Sequence, residues 1–276
     1  MVYQEPEIRQ TFTNIENKSN DGYFNYNGQS AKSKLISIVI PAFQEEKIIG
    51  QLKQIYTAEI KKKFHFEVIL SDGGSNDKTV EFASSFADKI VIHKGQHRQT
   101  ISEGRNKGAE VATGDVLVFI NADTYPQDVN IFFTYIRQWA ESKNSSFDAI
   151  ACYVLGFPNE MTKSDRLFYT IHNAYVSFLN KIHLGMGRGE CQIVKKELFQ
   201  KVNGYNPSIV AGEDFDLFRR LSKFTKIKFE PKLVVLESPR RFRKYGYFKT
   251  IWFWILNSIS IIILGKSYSK EWEAIR

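Results

Sequence analysis

The chain reads as an α/β protein built on a mostly parallel sheet with helices on both faces. Three observations predict this. Strand-like and helix-like segments alternate four times in the stretch from Leu35 to Ile120. The first and last strand candidates, Leu35 to Ile40 and Asp115 to Ile120, are short β-branched or continuous apolar runs. At 276 residues, 43% of them hydrophobic, the chain is long enough to bury a real core as one large domain or two small ones.

The elements follow in order. Residues 1–34 are polar, rich in Asn, Gln and Ser, and read as an extension before the folded part. The first strand, Leu35 to Ile40, ends in turn chemistry at Pro41. Ile48, Ile49, Leu52, Ile55 and Tyr56 then recur at helical spacing. Phe66 to Leu70 is a second strand, and Asp77 is placed to cap a helix running through Phe86. Lys89 to His93 gives a third strand, part of Gln99 to Ala112 a helix, and Asp115 to Ile120 the fourth strand. The second half is less regular. A helix after Pro126, a strand over Ala149 to Leu155 and a long helix over Lys163 to Ile182 precede a glycine-rich loop, Gly185 to Gly189. A strand at Cys191 to Val194, a helix from Glu213, and β-like runs at Ile227 to Phe229 and Leu233 to Leu236 complete the sheet. The loop is read equally as a connector or as a mobile flap.

Composition excludes whole classes. With 25% charged residues the chain is neither a disordered tail nor a coiled coil nor a collagen-like fibre. Cys152 and Cys191 could form one bridge at most, which fits a reducing compartment. No apolar export segment is visible near Met1. The net charge of +8 is uneven, because Arg219 to Lys249 carries eleven basic residues against only Glu230 and Glu237. That segment runs into the apolar stretch Ile251 to Leu264, with Trp252 and Trp254 near its basic end. The combination suits an anionic membrane surface better than nucleic acid, although charge alone does not separate the two. The stretch falls short of the ~20 residues a membrane span requires, so an in-plane anchor is expected. Arg240, Arg241, Arg243, Lys244 and Lys249 would meet the lipid, or one of the arginines would hold a phosphate group.

Open α/β sheets bind ligands at the carboxyl ends of their strands. Those ends carry Pro41 to Glu46, Ser71 to Asp77 and Asn121 to Thr124. Neither a G-x-G-x-x-G fingerprint nor a P-loop is present, which argues against a dinucleotide or P-loop site. Carboxylates stand there instead. Asp72, followed by two glycines, could accept hydrogen bonds from a nucleobase, and Asp123, just past Ile120, offers hard oxygen ligands for Mg²⁺ or Mn²⁺ on a diphosphate. The bland alternatives are a turn residue at Asp72 and a strand-end cap at Asp123. His93, His97, His172 and His183 read as surface or core residues rather than ligands.

Five segments, Ser37 to Glu46, Ser71 to Asp77, Gly104 to Gly108, Gly114 to Thr124 and Gly212 to Arg219, together resemble glycosyltransferase family 2, in that family's order. The resemblance implies a GT-A fold and a hexosyltransferase-type enzyme. It would transfer a sugar from a nucleotide-diphosphate donor, UDP-sugar being the first choice, with inversion at the anomeric carbon. By position it implies that Pro41, Ala42, Phe43 and Glu45 line the nucleotide, that Asp72 reads the base and that Arg105 lies near the nucleotide. Asn121 and Asp123 occupy the family's D-x-D position, with an amide in place of the first carboxylate, so metal binding through Asp123 is expected to be weaker. Asp214 matches the general base, although Glu213 and Asp216 compete for that role on sequence alone. The family reading divides the chain into the extension 1–34, a catalytic domain 35–237 and a membrane-associating segment 238–276. It expects a glycan or lipid-linked acceptor, no nucleic-acid partner, and a place at the cytoplasmic face of a membrane. A sugar nucleotidyltransferase is a rival, opposed by the absence of glycine from Pro41 to Glu46. A catalytically impaired membrane adaptor is another, favoured only by Asn121.

Overall fold

The computed structural model describes residues 35–142 and 144–269, which belong to one compact unit. The polar extension 1–34 lies outside the described residues, as do 270–276. Eight strands form a single sheet in the order β3-β2-β1-β4-β7-β6-β8-β5. These are β1 (Ile36–Ala42), β2 (Phe66–Asp72), β3 (Lys89–Ile92), β4 (Val116–Ile120), β5 (Tyr125–Pro126), β6 (Phe147–Gly156), β7 (Cys191–Lys195) and β8 (Lys226–Glu237). The first four strands pair in parallel, so the carboxyl ends of β1, β2 and β4 open on the same edge. β7 enters antiparallel between β4 and β6, and β8 runs parallel to β6. The sheet is therefore mixed, with its parallel half where the alternating segments predict it.

Two apolar layers explain why the sheet is sandwiched. Ile36, Ile38 and Ile40 of β1 pack on one side with Phe132, Phe133 and Ile136 of α5 (Val129–Glu141). Val39 points the other way, with Leu117 and Phe119, towards Ala109 of α4 (Ile101–Val111). That alternation is the period of two inherent in a strand. Gly108 of α4 lies so close to β1 that an added Cβ would sit 2.3 Å from Val39 Cγ1. The remaining helices are α1 (Glu46–Ile49), α2 (Ala58–Phe64), α3 (Thr79–Ala83), α6 (Lys163–Lys181), α7 (Lys196–Lys201), α8 (Glu213–Leu221), α9 (Arg240–Tyr245) and α10 (Tyr247–Leu264).

The structure corrects several boundaries. The apolar positions after β1 form not one helix but α1, a 3-10 turn (Gly50–Gln54) and α2. Asp77 stands one residue before Lys78, which holds the cap position of α3, and the helix stops at Ala83. Its carboxylate still satisfies that end, accepting from Thr79 N at 3.0 Å and from Glu46 N at 3.3 Å. The two β-like runs near the end are one strand, β8. The register slips between Cys152 and Tyr153 of β6, where Glu230 and then Val234 are the partners, so Pro231 sits in the irregularity and owes no ladder hydrogen bond. The C-terminal helix spans 18 residues and reaches back through Tyr247 and Lys249, beyond the apolar stretch that marked it. Cys152 and Cys191 are buried free thiols, with Sγ atoms 3.5 Å apart.

Candidate active site

The loops after β1 and β2 are tied into one wall. Gln44 N donates to Ser75 Oγ at 2.8 Å, Glu45 N to Thr79 Oγ1 at 2.7 Å, and Gln44 Nε2 to Asn76 Oδ1 at 2.9 Å. Gln44 adopts a left-handed backbone, φ 55°, to make this turn. Gly73 N donates to Ala42 O, and an added Cβ at Gly73 would lie 3.2 Å from the Phe43 ring. Arg98 stacks on the other part of that ring, 5.5 Å from its centroid. Pro41, Ala42, Phe43 and Glu45 thus sit together at the β1 end, as expected from position. Asp72 ends β2 fully buried, and its carboxylate accepts from Gly74 N, Ser75 N and Ser75 Oγ. Its own turn therefore holds both oxygens, with one lone pair's worth of capacity left on the side bonded only to Ser75 Oγ.

Arg105 is the hub beneath the cleft. It comes from α4, whose start is fixed by a capping box of Thr100 and Glu103. The side chain is fully buried and donates through Nη1 to Glu213 at 2.9 Å and through Nη2 to Asn121 Oδ1 at 3.0 Å and Gly189 O at 2.6 Å. Its guanidinium also faces the Tyr205 ring at 5.2 Å. Burial alone would lower its pKa, but Tyr205, Glu213 and Asp214 outweigh that and raise it, so it stays charged. Asn121 therefore spends its amide oxygen on Arg105, which is where the missing carboxylate of the D-x-D position goes.

The first turn of α8 presents three carboxylates, and geometry separates them where the sequence does not. Glu213 is paired with Arg105. Asp216 is gripped by Arg220 one turn on, at 2.9 Å and 2.7 Å. Asp214 has no ion pair among the described residues; its Oδ1 accepts only from Phe215 N of its own helix, at 2.8 Å. Its Oδ2 faces the Gly185–Gly189 loop, since a Cβ at Gly189 would stand 3.6 Å from it. Burial first, and then the charges of Glu213 and Glu190, push the Asp214 carboxyl up to about 7. A half-buried carboxyl poised there can both take and give a proton near neutrality.

Asp123 occupies the opposite side. Its Oδ2 accepts from Arg240 Nη2 at 2.6 Å, and both side chains are about one-third exposed, at 32% and 36%. Arg240 thus faces the cleft rather than a lipid surface. Arg243, with its side chain 47% exposed, reaches Glu160 O and Asp165. Arg188, Glu190 and Glu237, to which the sequence reading gave no role, complete this flank together with His172. Arg188, from the glycine-rich loop, bridges Glu190 at 3.2 Å and Glu237 at 2.7 Å. Burial works to raise Glu190, but Arg188 holds it well below the carboxylate range, whereas burial and the Glu190 charge push Glu237 up. His172 is held down to about 3 by burial and by Arg188, which makes it a neutral packing residue. Glu237 left a trace in sequence as one of two acids in the basic stretch, Arg188 as a member of the glycine-rich loop, and His172 as one of the histidines read as surface or core residues. No group of three or more His, Cys, Asp or Glu that could hold a metal occurs among the described residues.

A parallel-then-mixed eight-stranded sheet with helices on both faces is the architecture of GT-A glycosyltransferases. Solved structures agree on the fold. A mannosyltransferase from Pyrobaculum calidifontis, in complex with GDP-Man and Mn²⁺, superposes with a TM-score of 0.58 at 18% identity, over 75% of this chain and 57% of that one. Glucosyl-3-phosphoglycerate synthase from Mycobacterium tuberculosis, with Mn²⁺, uridine diphosphate and phosphoglyceric acid, gives 0.56 at 17% identity, over 84% and 78%. The sequence matches the family described as glycosyl transferase family 2 over residues 37–202, and the chain belongs to that family. An uncharacterized glycosyltransferase of Haemophilus influenzae is 25% identical over 215 residues, 72% of this chain and 67% of its own length. Glycosyltransferase AglE of Haloferax volcanii is 27% identical over 140 residues, 48% of this chain and 43% of its own. The chain is a glycosyltransferase, which leaves the nucleotidyltransferase and adaptor readings without support.

Proposed function

We propose that this glycosyltransferase moves a sugar, with inversion, from a nucleoside-diphosphate sugar to an acceptor hydroxyl in lipid-linked or envelope glycan synthesis. UDP is the first choice of nucleotide. The observation that carries the reading is Asp214, a carboxyl without a cation partner of its own, pushed up to about 7 beside the cleft. In this reading Asp214 takes the proton of the acceptor hydroxyl as its oxygen attacks C1. The C1–O bond to the diphosphate breaks on the opposite face, and its electron pair leaves with the phosphate. Arg105 fixes Glu213 and Asn121, which sets the first turn of α8 against the end of β4 and so places Asp214 relative to the donor.

The residues present fit a divalent ion of the Mg²⁺ or Mn²⁺ type only together with a donor. Asp123 is a single hard-oxygen ligand, and such ions are commonly held by one or two carboxylates plus substrate phosphates. When bound, the ion would neutralise charge building on the leaving diphosphate. Arg240, already on Asp123, is positioned to share that work. In this reading the enzyme works at the cytoplasmic face of a membrane; the exposed apolar side chains of α10 support the membrane contact.

The test is release of nucleoside diphosphate from a panel of UDP- and GDP-sugars with Mn²⁺, for the parent and for Asp214→Asn. Turnover by the parent and loss of at least ~10²-fold in the variant are expected. Equal turnover by both would overturn the role of Asp214.

A further inference from the structure

The C-terminal helix α10 is inverted. The side chains it buries against the domain include Thr250, Asn257 and Ser260, alongside Ile261. Its outer face carries Phe248, Trp252, Ile255, Ile259 and Ile263, each between 41% and 81% exposed. A surface helix of a water-soluble domain does the reverse and turns its apolar stripe inward. The polar inner face is hydrogen-bonded, with Asn257 holding Ser269 and Ser260 Oγ donating to Lys266 O. Those partners belong to the segment that follows the helix, and Val210 N donates to Ser267 Oγ at 3.3 Å, which ties that segment to the domain.

α6 shows a second such stripe. Its inner face packs Phe168, Tyr169 and Val176, while Leu167, Ile171, Tyr175, Phe178 and Ile182 recur at three- and four-residue spacing on the outside, each at least 47% exposed. Ring contacts join the two helices beneath these stripes. Tyr175 lies 6.4 Å from His172, and His172 lies 5.0 Å from Trp254 of α10, which also meets Phe168 at 6.4 Å. Exposed apolar area on two touching helices marks an interaction surface.

Charge identifies the partner. Residues 247–269 contain no Asp or Glu, and the one acid of α6, Asp165, is buried on Thr162 and Tyr247. Lys163, Arg166, Lys181, Lys249 and Lys266 supply only positive charge along the two helices. An apolar face whose own two helices carry only exposed basic charge matches an anionic bilayer surface, whereas a symmetric pairing with a second copy would set like charges together. A membrane span is opposed by packing, since Ile261 Cδ1 would lie 2.8 Å from a Cβ at Gly212 and clusters with Ile209 and Phe215. Leaving the domain would strip that contact and expose Asn257 to hydrocarbon.

We infer that α6 and α10 together form one membrane-docking face that lies in the plane of an anionic bilayer. Because Ile261 packs beside Gly212, the face adjoins the helix that carries Asp214. Resting on the proposed function, this places a lipid-linked acceptor hydroxyl within the enzyme's reach at the membrane surface.

The experiment is flotation of the full chain with phosphatidylcholine vesicles, with and without phosphatidylglycerol, at low and high salt. The variants are Ile171→Glu/Phe178→Glu on α6 and Trp252→Glu/Ile259→Glu on α10. Point variants are needed because ending the chain at Ser238 would pull the buried Phe242 out of the core. Expected are salt-sensitive binding of the parent to anionic vesicles and a loss of at least about tenfold in each variant, with thermal stability unchanged. Parental binding by the α6 variant would overturn the shared face, as would indifference of the parent to every vesicle. A parental dimer by light scattering that the same variants dissociate, without vesicle binding, would assign the face to a second copy. Donor turnover, read separately in vesicle-free solution, reports on the proposed function and not on the docking face.

Discussion

Arg240 and Asp123, 117 residues apart in sequence, meet at 2.6 Å across the cleft. The guanidinium neutralises the strand-end carboxylate that the proposed mechanism assigns to a metal. A cation that binds Asp123 must therefore compete with Arg240 for Oδ2 or use the other oxygen. Partly exposed pairs of this kind are worth about 0–1 kcal/mol. Arg240→Ala should leave the melting temperature nearly unchanged and lower the Mn²⁺ midpoint by up to about fivefold when metal is titrated at saturating UDP. Thermal shift across a Mn²⁺ series checks this, and a higher midpoint in the variant would show that Arg240 does not restrain Asp123.

Asn121 gives a prediction opposite to the one the family pattern suggests. Restoring the carboxylate with Asn121→Asp would tighten metal binding if position 121 faced the ion. Its oxygen instead accepts from Arg105, 16 residues away in sequence. The new carboxylate should therefore join the Arg105–Glu213 pair and leave the Mn²⁺ midpoint where it was. A markedly tighter midpoint in the same titration would mean that the side chain turns towards the donor.

Arg105 should matter more to folding than any exposed charge. Arg105→Met leaves Glu213 with its side chain only 10% exposed and no cation. Breaking a buried pair this way costs about 3–5 kcal/mol, or roughly 6–20 °C in melting temperature. Adding Glu213→Leu removes the stranded charge and should recover part of the loss. Differential scanning calorimetry of parent, single and double variants decides it. A double variant no better than Arg105→Met would place the damage elsewhere in the hub.

The contrast between these residues shows what sequence makes legible. Ile36 to Ala42, Phe66 to Asp72 and Val116 to Ile120 announce themselves because each buried strand is a short run rich in Ile, Val, Leu or Phe, broken at most by single polar residues, that ends in a turn. Asp72, Asn121 and Asp123 inherit their positions from those ends. The partners of Arg105, at separations of 16, 84 and 108 residues, have no local signature and depend on how distant elements stack. The choice among Glu213, Asp214 and Asp216 rests on which neighbour each side chain finds, and one-residue steps around a helix turn carry that information only in three dimensions. The outer stripe of α6 was hidden for another reason. An apolar pattern on two sides of a helix looks in sequence like a broader core face.

Asp214 makes the pH dependence testable with its sign fixed. Its carboxyl is pushed up to about 7 by burial and by Glu213 and Glu190. An unfolded chain would release that proton near the ordinary value of about 3.9. The folded chain thus binds the proton more tightly, and the stability gained is complete below about pH 4 and lost as pH rises through about 7. Asp214→Asn lacks this linkage, so its melting temperature relative to the parent should increase from about pH 5 to about pH 8. Turnover runs the other way, because the base works deprotonated. Parental donor turnover should climb about tenfold per pH unit below about 7 and then level off. The variant should be slower by at least ~10²-fold and lack that limb. A parental profile flat from about pH 5 to about pH 8, with an unchanged stability difference, would move the proton acceptor away from Asp214.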